Sequence, residues 1–148
     1  MKLTTLCYIT CKDRMLMLYR NKKENDENAG KWVGIGGKFE DGESPEDCLI
    51  REVFEETGLT IEIPRLCGVK EWENQDGSRY IVLLYKTNNF SGKLHDSAEG
   101  PVFWATREEI LSMQMTEHFD KMMEIFFRED LSEFYYQKTT NRYTIQML

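Results

Sequence analysis

The sequence predicts an α/β chain of the α+β kind, or a layered α/β/α sandwich, rather than a doubly wound parallel sheet. Three observations lead there. The elements run strands, helix, strands, helix. At 148 residues the chain suits one domain with a real core. Its 41% hydrophobic and 30% charged residues are ordinary for a globular protein, which excludes a disordered or collagen-like chain.

Leu3–Cys11 is rich in Thr, Ile, Tyr and Cys and predicts a strand. Lys12-Asp13 makes a turn, and Arg14–Arg20 is the hairpin partner. Asn21–Gly30 is a polar loop, and Lys31–Ile35 a short strand running into Gly36-Gly37, where the backbone turns or approaches something closely. Ser44-Pro45 starts a helix, an N-cap followed by proline at the first helical position, and Gly58 stops it. Pro45–Thr57 is therefore helical. Thr60–Trp72 is a strand region broken by Pro64 and Gly68, Gln75–Ser78 a turn, Tyr80–Thr87 a buried strand and Asn88–Gly100 a polar loop. Pro101–Ala105 is a short strand, and Thr106 caps a small helix. Thr116–Arg128 is an amphipathic helix with Phe119, Met122, Met123, Ile125, Phe126 and Phe127 on its apolar face. Phe134–Gln137 and Arg142–Met147 form a closing hairpin, which together with Phe126-Phe127 serves either a dimer or the core.

Nineteen Lys and Arg stand against 26 Asp and Glu, a net charge of −7. Within residues 40–56, Glu40, Asp41, Glu43, Glu46, Asp47, Glu52, Glu55 and Glu56 oppose Arg51 alone, so this segment carries the whole excess. No basic face suits a nucleic-acid duplex. No apolar run approaches the roughly 20 residues of a membrane span, and the N-terminus lacks a signal-peptide plan, so a cytoplasmic protein is expected. Cys7, Cys11, Cys48 and Cys67 form no CxxC pair and lie far from His95 and His118, which argues against zinc and for reduced core thiols.

At about 100° per residue, with Cys48 at zero, Glu55 falls near 340°, Glu52 near 40° and Glu56 near 80°. Leu49, Val53, Ile50 and Phe54 fall between about 100° and 240°. The expectation is an apolar face that anchors the helix and a carboxylate face directed away from it. Glutamates spaced i, i+3 and i+4 repel, and a hard divalent cation relieves the repulsion. Oxygen-only ligands favour magnesium or manganese. Magnesium commonly bridges carboxylates to phosphates, which implies a phosphate-bearing substrate. Arg51, near 300° on the same wheel of about 100° steps, is placed to orient carboxylates through bidentate bonds; the alternative is a surface ion pair worth under about 1 kcal/mol. Gly36-Gly37-Lys38 either brings backbone groups to a metal or phosphate or is a plain turn.

Gly37-x5-Glu43-x7-Arg51-Glu52-Val53-x-Glu55-Glu56-x-Gly58-Leu59 resembles the signature of the Nudix hydrolases, Gx5Ex7REUxEExGU, with every fixed position filled. The resemblance implies one Nudix domain over residues 1–148: an α/β/α sandwich with a central mixed sheet and a catalytic loop-helix-loop. It implies magnesium-dependent hydrolysis of nucleoside diphosphates linked to another group, with manganese able to substitute. Glu52, Glu55 and Glu56 become metal ligands, one of them also a base toward water. The Gly37 carbonyl becomes a ligand, Glu43 and Arg51 the orienting pair, and Glu99 the further acid that many members draw from a late loop.

Gly30–Lys38 (Gly-Lys-Trp-Val-Gly-Ile-Gly-Gly-Lys) and Leu18–Lys23 are similar to MutT-type members that clean oxidised purine nucleotides such as 8-oxo-dGTP. This implies that Arg20, Lys22 or Lys23, and Lys38 contact a triphosphate and that Thr5 lines a base pocket. Two positions depart from the pattern. Val33 stands where some members place Asn, and Met113–Phe119 where some place Trp and Asp; there Glu117 or Asp120 replaces the acid and Met115 or Phe119 the stacking surface. The expected function is hydrolysis of a nucleoside triphosphate to monophosphate and pyrophosphate by metal-activated water. The partner is a small nucleotide, with no membrane and no duplex. The alternatives are hydrolysis of a sugar nucleotide or dinucleoside polyphosphate, and a nucleotide-binding Nudix domain without turnover.

Overall fold

The computed structural model describes residues 1–22, 29–113, 118–139 and 142–148. Strand β1 (Lys2–Cys11) is followed by β2 (Arg14–Arg20), with Thr10 opposite Met15. Next come β3 (Lys31–Val33), paired with β2, and β4 (Ile35–Lys38), paired antiparallel with the first half of β1. The single strand predicted over Lys31–Ile35 is thus two. Gly36-Gly37 is not a turn but the middle of β4. A Cβ on Gly36 would lie 2.0 Å from the Thr5 carbonyl oxygen, so the side chain is excluded by close strand approach.

Helix α1 (Pro45–Thr57) has the predicted bounds. The Ser44 hydroxyl accepts from the Asp47 amide, and Gly58 closes the helix in the left-handed conformation at φ 80°. Then follow β5 (Leu59–Glu62), β6 (Arg65–Glu73), β7 (Arg79–Thr87) and β8 (Asn89–Gly92). Gly68 marks a register shift in β6 rather than a break. β8 lies in the predicted loop. It pairs with β5, and its one apolar anchor, Phe90, packs on Trp104 with ring centroids 5.4 Å apart.

β9 (Val102–Thr106) pairs with β2 and leads into α2 (Arg107–Leu111), where Thr106 and Glu109 form a capping box. α3 (Phe119–Phe127) begins later than predicted, and Thr116 lies outside the described residues. β10 (Glu133–Thr139) and β11 (Arg142–Met147) form the expected hairpin, and β10 joins β6 in parallel.

The main sheet runs β11-β10-β6-β7-β1-β2-β3, with β4 attached to β1 and β9 to β2. The β1–β7 and β6–β10 pairs are parallel and the others antiparallel, so the sheet is mixed. Alternation along β1 separates two cores. Cys7 and Ile9 join Leu16, Leu18, Ile35, Leu49 and Val53 under α1. Tyr8 joins Met15, Met17, Ile110, Phe119, Met122 and Phe126 under α2 and α3. The result is the expected α/β/α sandwich. Phe126 is core, whereas Phe127 is 49% exposed and falls outside the apolar face assigned to it. Cys7 and Cys48 are core thiols, but Cys11 is exposed and Cys67 only half-buried. No helix among the described residues is long and apolar enough to cross a membrane.

Candidate active site

The buried arc of α1 is Cys48, Leu49, Val53 and Thr57. On the wheel, Glu52 and Glu56 lie inside that arc, between Cys48 and Val53. The expectation of carboxylates facing away from the anchoring side is therefore corrected. Glu52 and Glu56 turn inward over β4, Glu55 is exposed, and Phe54, assigned to the anchoring face, is 54% exposed.

Gly37 makes the inward turn possible. A Cβ there would come 2.4 Å from the Glu52 carboxyl carbon and Oε2, so only glycine lets Glu52 lie across the strand. The Gly37 carbonyl accepts from Thr5 Oγ1 at 3.5 Å and lies 3.9 Å from Cys48 Sγ. Thr5 is 2% exposed and sits in the floor between β1, β4 and α1 rather than in the wall of an open pocket.

Arg51 is the hub. Nε donates to Glu43 Oε1 in a short contact, and Nη2 donates to Glu43 Oε2 at 3.0 Å. Nη2 also donates to the Lys38 carbonyl at 2.9 Å, and Nη1 donates to Glu52 Oε1 at 2.8 Å and Glu55 Oε2 at 3.3 Å. Glu43 also accepts from the Glu40 amide at 2.9 Å. The fork of guanidinium donors ties the loop before α1 to its carboxylates. It also draws the Glu43 carboxyl down to about pH 2, mainly through the Arg51 hydrogen bonds. Glu40 belongs to this cluster, 3.7 Å from Arg51 Nε; its spacing three residues before Glu43 was the available signal.

Glu56 is the most confined of the carboxylates. Burial, then the neighbouring charges of Glu99 and Glu52, raise its pKa to about 8, against the lowering effect of the Gly36 amide that donates to it. Its Oε2 is buried with no hydrogen-bond partner among the described residues. Glu99 reaches the site on the turn at Ser97–Gly100, which is clipped to the end of β2. The Glu99 carbonyl accepts from the Asn21 and Lys22 amides, and Tyr19 donates to the Pro101 carbonyl at 2.9 Å. Gly100 presses on β2 so closely that a Cβ would lie 1.7 Å from the Tyr19 carbonyl oxygen. Arg20 Nη2 stands 3.6 Å from Glu99 Oε1.

Glu52 and Glu99 thus lie close enough to Glu56 for their charges to act on it, beside the Gly36 amide of β4, and Glu55 joins the cluster through Arg51. Among the described residues no three acidic or imidazole groups are already drawn to coordinating distance; Glu52 instead bonds to Arg51. The donor set still fits a hard divalent cation. It is all oxygen, and one buried carboxylate oxygen has no hydrogen-bond partner among the described residues. Lys22 and Lys38 are exposed, Lys38 on the face of β4 opposite α1. Lys23, Met115 and Glu117 lie outside the described residues. Asp120 is exposed, whereas Phe119 is 1% exposed in the core and offers no stacking surface.

A sandwich with crowded carboxylates at a strand edge is a frame for hydrolysis of phosphate anhydrides. Relatives carry the assignment further. The NUDIX domain model matches residues 2–126. An uncharacterised Nudix hydrolase of Bacillus subtilis is 33% identical over 116 residues, covering 75% of this chain and 70% of that protein. An oxidised purine nucleoside triphosphate hydrolase of Danio rerio is 31% identical over 115 residues, 77% and 72% of the two chains. The crystal structure of a mutator MutT protein from Bacillus halodurans superimposes with a TM-score of 0.82 at 25% identity, over 99% of this chain and 98% of that one. The chain belongs to the Nudix hydrolase family.

Proposed function

We propose that the protein hydrolyses a nucleoside triphosphate to the monophosphate and pyrophosphate with magnesium, and that oxidised purine nucleotides such as 8-oxo-dGTP are among its substrates. The observation that carries the reading is the buried Oε2 of Glu56, which has no hydrogen-bond partner among the described residues and lies in the charge neighbourhood of Glu52 and Glu99. Glu52, Glu55, Glu56, Glu99 and the Gly37 carbonyl would hold the ion. When bound, magnesium supplies positive charge against the polyphosphate and lowers the pKa of water.

The chain's own residues do the remainder. Arg51 and Glu43 fix the carboxylates in orientation. Glu56, confined and poised near neutral pH, holds or accepts a proton. Arg20 stands beside Glu99, and it and the exposed Lys22 and Lys38 would supply positive charge for the phosphates. The base preference follows the relatives, since oxidised purine nucleoside triphosphate hydrolases of Danio rerio and Mus musculus both align over most of the chain.

Pyrophosphate release from 8-oxo-dGTP, dGTP and dATP with magnesium tests the reading. Glu56→Gln is expected to slow release by about 10²–10⁴-fold. Equal rates in the variant and the parent would refute it. A second reading is hydrolysis of another nucleoside diphosphate derivative. It is favoured by Val33, which packs toward α1 and offers no polar group to a base. A higher kcat/KM for sugar nucleotides or dinucleoside polyphosphates would decide for it.

A further inference from the structure

The loop between β8 and β9 is fastened at both ends to elements that carry site residues. At its start the His95 amide donates to the Thr57 carbonyl at 2.8 Å, where α1 ends. Gly58 fits there so closely that a Cβ would lie 2.4 Å from the Lys93 carbonyl oxygen. Near its other end the Glu99 carbonyl accepts from the Asn21 and Lys22 amides at 3.1 and 3.2 Å. The first fastening is to the helix that carries Glu52, Glu55 and Glu56, and the second is to the end of the strand that carries Arg20.

Between the two fastenings the turn is closed by its own groups. The Ser97 amide donates to the Gly100 carbonyl at 3.0 Å, and the Gly100 amide donates to the Ser97 carbonyl at 3.2 Å. Ser97 Oγ accepts from the Glu99 amide at 3.1 Å, and Asp96 Oδ1 accepts from the Val102 amide at 3.2 Å. Ser97 is 4% exposed, although Asp96 and Ala98 on either side of it are exposed. Burying a hydroxyl costs free energy unless it is bonded, and alanine would fill the same space at no such cost. A serine hydroxyl that bonds the main chain two residues on fixes the direction of the residue it bonds. Here that residue is Glu99.

Both main-chain groups of Glu99 are thus held, the amide by Ser97 and the carbonyl by the residues after β2. The consequence falls on the carboxylate. Glu99 stands close enough to Glu56 for its charge to act there, and its Oε1 lies 3.6 Å from Arg20 Nη2. A ligand group has to be kept within about 0.5 Å and about 10–20° of its working geometry. A tilt of about 15° at the α-carbon swings the far end of a glutamate by about 1 Å, a misplacement large enough to matter at a reacting centre.

We propose that Ser97 is a positioning residue of the carboxylate site: its hydroxyl holds the Glu99 main chain so that the Glu99 carboxylate joins Glu56 in holding a divalent ion, with Asp96 bracing the same turn. The inference rests on the reading that Glu99 is one of the ion's ligands. It adds to that reading a residue that touches neither ion nor substrate.

The test is a double-mutant cycle read by Mn²⁺ binding to the full chain, followed by the loss of the free-ion paramagnetic resonance signal. Ser97→Ala is expected to weaken binding about ten-fold, the scale of a lost partner behind a ligand. In the Glu99→Gln background the same change is expected to cost about two-fold or less. Thermal unfolding, by contrast, should register Ser97→Ala equally in both backgrounds, because the hydroxyl is lost from the fold in each. A purely structural serine would change Mn²⁺ binding by the same factor with or without the Glu99 carboxylate, or not at all, and either result would overturn the proposal. If Ser97→Ala does not fold, Asp96→Ala takes its place in the cycle, with the same coupling expected and additivity again the contrary result. Glu99→Gln that binds Mn²⁺ as the parent does would sink the reading of Glu99 as a ligand, and the proposal with it. Weakened binding in Glu99→Gln with an additive effect of Ser97→Ala would sink the proposal alone.

Discussion

The α-carbon of Gly37 lies directly against the carboxylate of Glu52: a Cβ there would stand 2.4 Å from the carboxyl carbon and Oε2. The strand and the helix therefore share one small volume, and the glycine yields it to the acid. Gly37→Ala is expected to push Glu52 aside and lower kcat by about 10²-fold, the scale of a 1 Å misplacement. The backbone itself is not displaced, so the far-ultraviolet circular dichroism should match the parent. Full activity in Gly37→Ala would show that Glu52 has no need of its observed position.

Arg51 divides its donors among Glu43, Glu52, Glu55 and the Lys38 carbonyl. A lysine keeps the charge but not the planar fork. Arg51→Lys is expected to reduce kcat by about ten-fold or more while the protein remains folded, because Glu52 loses its fixed direction. An unchanged kcat would reduce Arg51 to an ordinary ion pair.

The same pair makes stability depend on acid. Arg51 lowers the Glu43 carboxyl from its ordinary 4.5 to about 2. A carboxylate held low stabilises the fold above its ordinary range and loses that contribution as pH falls from about 4.5 toward about 2. Thermal unfolding from pH 6 to pH 2 should show Glu43→Gln less stable than the parent at the upper end, with the gap closing on acidification. A gap independent of pH would contradict the pairing.

Ile63 takes a left-handed backbone, φ 52°, in the turn before Pro64, and is 77% exposed. A β-branched residue there costs about 1–2 kcal/mol, and glycine adds back about 0.5–1 kcal/mol through the unfolded chain. Ile63→Gly is thus expected to stabilise by about 0.5–1 kcal/mol in denaturant unfolding. A loss of stability would show that Ile63 packs on something important.

Cys11 is exposed, Cys67 half-buried, and Cys7 and Cys48 buried, the last two with thiol pKa values raised by burial. An Ellman titration of the native protein should therefore show Cys11 reacting first, Cys67 more slowly, and the other two only on unfolding.

Local signals made part of this structure legible. Ser44, Pro45 and Gly58 are chemically sufficient to bound α1, and the spacing of its glutamates carries the chemistry. The orientation of α1 was not legible. A wheel sets the carboxylates opposite the anchoring face, and here Glu52 and Glu56 turn inward and are half-buried, with Gly37 leaving room for Glu52. Glu99 stands at the site through a turn held against β2 by contacts some 80 residues apart in sequence, which no local pattern encodes. β8 was hidden by its polar composition, with Phe90 its only anchor.

The account depends most on divalent ion held by carboxylates at the edge of β4. Titration with Mn²⁺, followed by the loss of the free-ion paramagnetic resonance signal, tests this without substrate. Saturable binding by the parent, weakened at least about ten-fold in Glu52→Gln and again in Glu56→Gln, is the predicted result. Binding of equal strength in the parent and in both variants would contradict it.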